Sequence, residues 1–485
     1  MKKILSLALA LLLAAVMMIS CGTTTGSSGN STGGNTSADS TGGTSGSDSS
    51  GGSTTETVNL HPDKNIKATI RVAVENYSEE EKIVAEIGEI LSETYPNVTV
   101  VPEPFSGGIS AQYASWHRSK NVPDILINNS FDMFTLSDKG ILCDMTPYIE
   151  AEAKDEESDF DINDYYASYF KMGQLNFDGA QYMIPRSADR MVCHYNKAVF
   201  KEADVDMSLV RNGWTWDDFM TVCETLRTYY DSTDRKKYTL IDANFDWEAS
   251  FNPIFESYGV EYFDENGEVA IDSTSTENAL KFMKSLVDKR YVSKMGVEPA
   301  GMQANHGCML FHSQATSVIA EKLAIYYPDA KKVSDYYDVV SMPVMPGHEK
   351  IGCGAAGYSV YEESPNKDLC WQFMKILLSK AGQNIMADCS NYVPVRKDMA
   401  DYTNPENHWG KGYEDLNLSA YTYNCGIGDD PDWSCYTTYI ARKAPKYATS
   451  ITTALKTLIS NYINGKEYAK AVKDCTNSIK AVLKR

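Results

Sequence analysis

The chain has 485 residues, a formal net charge of −20, 31 tyrosines and 7 tryptophans. Such acidity excludes nucleic acid as an expected partner and argues against docking on anionic lipid through the folded surface. The length exceeds what one hydrophobic core serves, so at least two lobes are expected.

The N-terminus opens with Lys2 and Lys3 and continues as a run from Ile4 to Ile19, apolar except at Ser6. This run has secretory size and is too short for a spanning helix, so residues 1–20 are predicted to be a signal peptide. It stops at Met18-Ile19-Ser20-Cys21. The small Ser20 before the cysteine resembles the bacterial lipobox, which makes Cys21 the expected lipidation site. Leu is usual where Met18 stands, and a plain cleaved signal with Cys21 incidental is the alternative. Residues 22–56 are mostly Gly, Ser and Thr. They offer almost nothing to bury and cannot offset the entropy of folding. Residues 21–62 are therefore predicted to be a linker, its Gly/Ser/Thr part reaching about 35 Å on average. Cleavage removes two lysines and takes the charge from −20 to −22.

Eleven cysteines occur, ten of them beyond Cys21, with no CxxC pair. Cys223, Cys370 and Cys475 fall within apolar helical patterns and read as small buried hydrophobes. Cys425 and Cys435, in a Tyr-rich, loop-like stretch, are the disulfide candidates, although spacing alone does not settle connectivity.

An α/β pattern begins near Lys67. The alternation in Ala68–Val74 predicts a strand. Ser78-Glu79-Glu80-Glu81 reads as a capping box opening a helix with Ile83, Val84, Ile87, Ile90 and Leu91 on one face. Val98–Val101 is a second expected strand, residues 111–120 a helix, and residues 123–127 a third strand. Strands alternating with helices imply a largely parallel sheet covered on both faces. Residues 182–200 mark a change of unit. Thr215 is expected to cap a helix with Asp218 at its third position and Phe219, Val222, Cys223 and Leu226 inward. Tyr262–Ile271 reads as a hairpin around Asn266-Gly267. Thr276–Val287 is expected to be helical and Asp338–Val344 a strand. The apolar stripe Tyr468, Ala471, Val472, Cys475, Ile479 and Val482 predicts a final helix facing the core.

Several motifs bear on chemistry. Gly352-Cys353-Gly354-Ala355-Ala356-Gly357 matches G-x-G-x-x-G, but Tyr358-Ser359-Val360-Tyr361 after it is strand-like, whereas a dinucleotide site needs a helix there. These glycines are expected to let the backbone turn and pass close to a neighbour. His306, Cys308 and His312 lack the further ligand that a metal set requires, so structural histidines are expected. No HExxH or GxxxxGK[ST] occurs. No cofactor and no catalytic residue are expected. The aromatic content suits sugars, which have apolar C–H faces and hydroxyl edges.

Five segments in order carry a resemblance. They are residues 123–127 followed by Leu136-Ser137-Asp138-Lys139-Gly140-Ile141-Leu142; Ile184-Pro185 with Tyr195-Asn196-Lys197 and Phe200; Trp214-Thr215-Trp216-Asp217-Asp218-Phe219; Ser364-Pro365-Asn366-Lys367 within Tyr358–Leu377; and Ile463-Asn464-Gly465-Lys466 with the final helix. Together they resemble the family 1 extracellular solute-binding proteins of ABC importers, the group that includes maltodextrin-binding protein. The resemblance spans about Ala68 to Leu483.

It implies an α/β, two-lobed periplasmic-binding-protein-like fold with hinge crossovers and a ligand cleft between the lobes. It implies an N-terminal lobe of residues 66–187 plus about 347–388 and a C-terminal lobe of about 190–345 plus about 390–485. Ligands of open α/β sheets sit at the carboxyl ends of strands. The resemblance and that rule select Glu75 and Asn76 after the first strand and Asn128, Asn129, Ser130 and Phe131 after the third. They also select Arg186 and Asp189 at the crossover and Trp247 in the second lobe. The Trp that sugar binders carry after a residue like Met309 is absent here, and Asn128 stands where maltodextrin binders have an aromatic. Phe311, His312 and Trp433 are the residues expected to compensate. The implied protein is monomeric, lipid-anchored on the outer face of the cytoplasmic membrane, and captures a small solute, expected to be a sugar, for ABC permease subunits. A secreted carbohydrate-active enzyme and a surface adhesin or sensor module are the alternatives.

Overall fold

A computed structural model describes residues 58–75, 78–174, 179–313, 316–344, 351–390, 392–423, 434–436 and 447–484. Within them the chain builds two sheets. The first runs in the order β2-β1-β3-β8-β4, from β1 (Ala68–Glu75), β2 (Val98–Phe105), β3 (Ile125–Asn129), β4 (Ile184–Arg190) and β8 (Ile351–Val360). A short β9 (Ser434–Tyr436) pairs in parallel with the start of β8. The second sheet, β6-β5-β7, uses β5 (Val192–Asn196), β6 (Met309–His312) and β7 (Tyr337–Ser341), all antiparallel.

The alternation that predicts β1 has the expected cause. Ile70, Val72 and Val74 are buried, and parallel pairing to β2 along its whole length holds the strand in place. The following helix, Ser78–Thr94, buries Ile83, Val84, Ile87 and Leu91, each contributing about 1.5–3 kcal/mol against exposure. The expected capping box is corrected here. Ser78 already lies inside the helix, and its hydroxyl bonds Glu79 rather than a backbone amide. The box at Thr215 forms as expected: Thr215 Oγ1 accepts from the Asp218 amide at 3.1 Å and Asp218 Oδ2 accepts from the Thr215 amide at 3.0 Å. Its helix, Trp216–Ser232, buries Phe219, Val222, Cys223 and Leu226.

The glycine-rich run lies in β8, not before a helix. Gly357 passes so close to β4 that a Cβ would collide with the Ile184 carbonyl. Around Asn266-Gly267 the structure makes one bridge, Phe263 to Val269, with Gly267 at φ +77°, so the hairpin is shorter than expected. The strand-like Tyr238–Ile241 likewise makes one bridge, to Met309. The last helix, Tyr468–Leu483, buries Ala471, Val472, Cys475 and Ile479.

Two of the motif segments hold each other. Buried Asp124 accepts from the Arg71 amide at 2.9 Å, from Ser364 Oγ at 2.6 Å and from Asn366 Nδ2 at 3.0 Å. The carboxylate thus ties the start of β3 to the turn after β8 through charge-assisted bonds. In the second lobe, buried Asn196 caps the helix Lys197–Glu202 through Oδ1, while its Nδ2 reaches Tyr327 Oη at 2.8 Å. Cys143, Cys193, Cys223, Cys308, Cys370 and Cys475 are buried free thiols. Cys425 lies outside the described residues, and of Cys435 only the backbone, in β9, is described.

Candidate functional site

The strand registers decide where the functional ends fall. β1, β2 and β3 are parallel, so Glu75, Phe105 and Asn129 end at one edge of the first sheet. β8 is antiparallel to β3 and to β4, which returns β4 to the direction of β3 and brings Asp189, opposite Gly354, to that same edge. Two residues after Asp189, at Met191, the chain leaves this sheet, and it enters the second as β5. The first residue of β5, Val192, pairs with His312 and Ser341, the last residues of β6 and β7. The ends of both sheets therefore meet at the crossovers, and the site lies where the strand-end rule requires.

Several expected residues stand differently from their sequence reading. Asn128 and Asn129 end β3 instead of following it, because they pair with Gly357 and Ala356 of β8. Asn128 is buried, and its Nδ2 donates to Ser359 Oγ at 3.2 Å. Asn129 is exposed; its Oδ1 accepts from the Asp132 amide at 2.8 Å and its Nδ2 donates to Asp132 Oδ2 at 2.9 Å. Ser130 and Phe131 open the helix Ser130–Ser137 rather than forming a loop. Glu75 is exposed at the strand end. Asn76, Trp433 and Cys21 lie outside the described residues, and Asp189 is described through its backbone.

Arg186 is buried. Its guanidinium pairs with Glu80, stacks over Tyr392 at 4.8 Å and donates to Tyr392 Oη at 3.3 Å. Tyr392 in turn donates to Glu80 Oε1 at 2.9 Å. Burial opposes the Arg186 charge, but Tyr392 and Glu80 hold its pKa above the ordinary value. Burial, aided by Glu80 and Glu75, pushes the Tyr392 phenol up to about 12. Arg186 thus ties β4 to the helix Ser78–Thr94 and to Tyr392, and Glu80 and Tyr392 are the partners that sequence reasoning missed. Nothing local could have found them, since Glu80 stands 106 residues before Arg186 and Tyr392 stands 206 after it.

Trp247 stands at the N-cap position of the helix Glu248–Ser257 with 38% of its surface exposed, so it is not a core tryptophan. Its indole stacks on the His312 ring, centroids 5.1 Å apart and planes 27° from parallel. The fold thus brings together two aromatics that are 65 positions apart in sequence, at the end of the second sheet that adjoins the crossover. Phe311, on the opposite face of β6, packs on Phe219 at 5.8 Å. The other histidine of the trio, His306, stacks on Tyr238 at 4.2 Å.

The profile of the bacterial extracellular solute-binding proteins matches residues 74–384. The chain belongs to that family. This solute-binding protein is 24% identical over 232 residues to an arabinooligosaccharide-binding protein of Halalkalibacterium halodurans, covering 46% of this chain and 49% of the relative. The chain thus spans about half the length of the curated relative that it matches. Among solved structures, the sugar-binding protein MalE from Xanthomonas citri superposes with a TM-score of 0.66 at 14% identity, covering 86% of this chain and 97% of that one. UgpB from Mycobacterium tuberculosis, in complex with glycerophosphocholine, gives 0.62 at 14% identity, covering 86% and 99%. These likenesses fix the fold as the two-lobed periplasmic-binding-protein type.

Proposed function

We infer that this solute-binding protein captures a small neutral carbohydrate between its lobes and passes it to the permease of an ABC importer, without catalysis. The observation that carries this reading is the exposed Trp247–His312 stack at the strand ends beside the crossovers. Such a platform presents an aromatic face to the C–H face of a sugar ring. The sugar ligands named for the Halalkalibacterium relative and the Xanthomonas neighbour support it. The shared fold does not choose the ligand, because the Mycobacterium neighbour holds glycerophosphocholine; the aromatic pair and the sugar-binding relative support the carbohydrate reading. Glu75, Asn129 and Asp189 end strands of the opposing edge and are the polar groups we assign to ligand hydroxyls. We assign Arg186 to bracing rather than contact.

The lobes are taken as residues 66–187 with about 347–388 and about 190–345 with about 390–485. The Val393 carbonyl accepts from the Ala188 amide, and β9 pairs with β8. These contacts support returning residues 393–396 and 434–436 to the first lobe.

Calorimetry with a panel of neutral mono- and oligosaccharides tests the reading, and Trp247→Ala sharpens it. The variant should melt close to wild type, since the ring is partly solvated and off the core, while affinity for any panel ligand that binds falls at least about tenfold. A large melting-temperature drop with unchanged affinity would remove Trp247 from the site. No binding across the panel would end the carbohydrate reading.

Anchoring at Cys21 is part of the proposal and rests on the run that ends there and on the Gly/Ser/Thr-rich segment behind it. In cells fed labelled fatty acid the protein should take up label and Cys21→Ala should not. Label persisting in that variant would refute the anchor.

A further inference from the structure

Under the first turn of the helix Glu248–Ser257 lies a partly enclosed cavity of about 50 Å³. No charged residue lines it. Phe245, Ile254, Leu286 and Val292 contribute apolar walls from the second lobe. Met191 from the first crossover, with Met342 and Pro343 after β7, brings both chain crossings to its edge. The cavity therefore adjoins the junction of the lobes.

Its polar lining consists of Asn244 and Ser250. Asn244 Oδ1 accepts from the Asp246 amide at 2.9 Å, which assigns the other end of that side chain as a donor. Neither this NH2 group nor the Ser250 hydroxyl has a partner among the described residues. Asn244 stands three residues before Trp247, the N-cap of the helix, and Ser250 three residues after it.

Size and chemistry narrow the occupant. A water-sized body needs about 10–15 Å³ of such space, so the cavity takes about four of them. That is the extent of a two-carbon acyl group and far short of a sugar ring. Water can fill it, bonded to the two side chains and to other waters, so an occupant that replaces it must bring both an acceptor and an apolar end. A charged occupant would be buried without a counterion. A short acyl group fits both features, with a methyl for the apolar walls and a carbonyl oxygen for the two donors.

We propose that this cavity is a subsite for one acetyl group carried by the bound carbohydrate, with the methyl among Met191, Phe245 and Phe311 and the carbonyl oxygen accepting from Asn244 Nδ2 and Ser250 Oγ. The proposal rests on the carbohydrate reading of the cleft and adds the class of sugar: a partially acetylated one. The bare sugar binds on the Trp247–His312 platform, and the acetyl group adds to it.

Titration calorimetry on matched pairs tests it, using O-acetylated xylo- and manno-oligosaccharides beside the same compounds after alkaline deacetylation. Wild type should bind the acetylated member of a pair at least about tenfold more tightly, from a buried methyl and two hydrogen bonds. In Ala249→Leu, which fills the cavity, the ratio within the pair should fall to about one. Asn244→Ala, which leaves the volume open, should lower it about threefold. Equal binding of both members by wild type would overturn the subsite and leave the carbohydrate reading standing. A ratio that survives Ala249→Leu would also overturn it. Binding of neither member of any pair would overturn the subsite, while the carbohydrate reading would still stand or fall on the wider sugar panel. The wild-type comparison needs no variant to fold.

Discussion

Replacing Arg186 by methionine should lower the free energy of unfolding by about 3–5 kcal/mol, the usual cost of stranding one partner of a buried ion pair. Glu80 is 2% exposed and would keep only Tyr392 and the long contact from Tyr358 at 3.5 Å. A carboxylate left in that position must stay charged without its cation or take up a proton, and both raise the energy of the folded state. The double variant Arg186→Met with Glu80→Leu should recover most of the loss, because replacing both partners by apolar groups is often neutral or better. Urea unfolding of the two variants measures this directly. A single-variant cost under about 1 kcal/mol would show that the pair does not brace the lobe and would return Arg186 to the list of ligand contacts.

A second large effect is expected from His194. It is fully buried in β5, with Nδ1 2.7 Å from Tyr337 Oη and Nε2 3.2 Å from the His312 carbonyl oxygen. The Tyr421 ring packs against it edge-on at 6.2 Å. Burial first, and then His312, lowers its pKa from 6.5 to about 3. Above pH 6.5 the ring is neutral in both folded and unfolded chains and costs nothing. Between 6.5 and about 3 the unfolded chain takes up a proton that the folded one refuses, so stability is lost as the pH falls. The slope from this one group approaches 1.4 kcal/mol per pH unit. Denaturant unfolding between pH 6.5 and 4.5 should therefore be steeper in wild type than in His194→Asn, which keeps a polar group toward Tyr337 but does not titrate. Parallel slopes would show that another group governs the acid limb.

Elements fixed by local pattern were legible in the sequence. β1, the helix from Ser78 and the final helix follow from which residues repeat at two or at three and four. The box at Thr215 was legible because both of its halves lie within four residues. What escaped the sequence was set by distant partners. Asn128 and Asn129 look like loop residues until β8 arrives from 230 positions downstream and pairs them. Arg186 reads as a ligand contact from its place at the crossover, because its partner Glu80 stands 106 positions away. Trp247 is selected by the resemblance alone, and its stacking partner His312, 65 positions on, lies beyond any local window. The Asn244–Ser250 cavity left no signal at all, since a void is defined by what surrounding elements fail to fill.

The order of strands in the first sheet also sets an order of events. β8 sits between β3 and β4, yet it is not complete until residue 360, whereas all three strands of the second sheet are in hand by residue 341. During synthesis from the N-terminus the sheet whose strands start first is therefore the one whose strands finish last. Until β8 is inserted, β3 lacks its neighbour on one side and β4 lacks its only ladder in that sheet. Both present bare backbone edges of the kind that recruit foreign strands. The interval between residues 190 and 360 is thus the stretch of chain growth over which a half-made molecule is most exposed to mispairing, and the one to shield when yield of the folded protein is the concern.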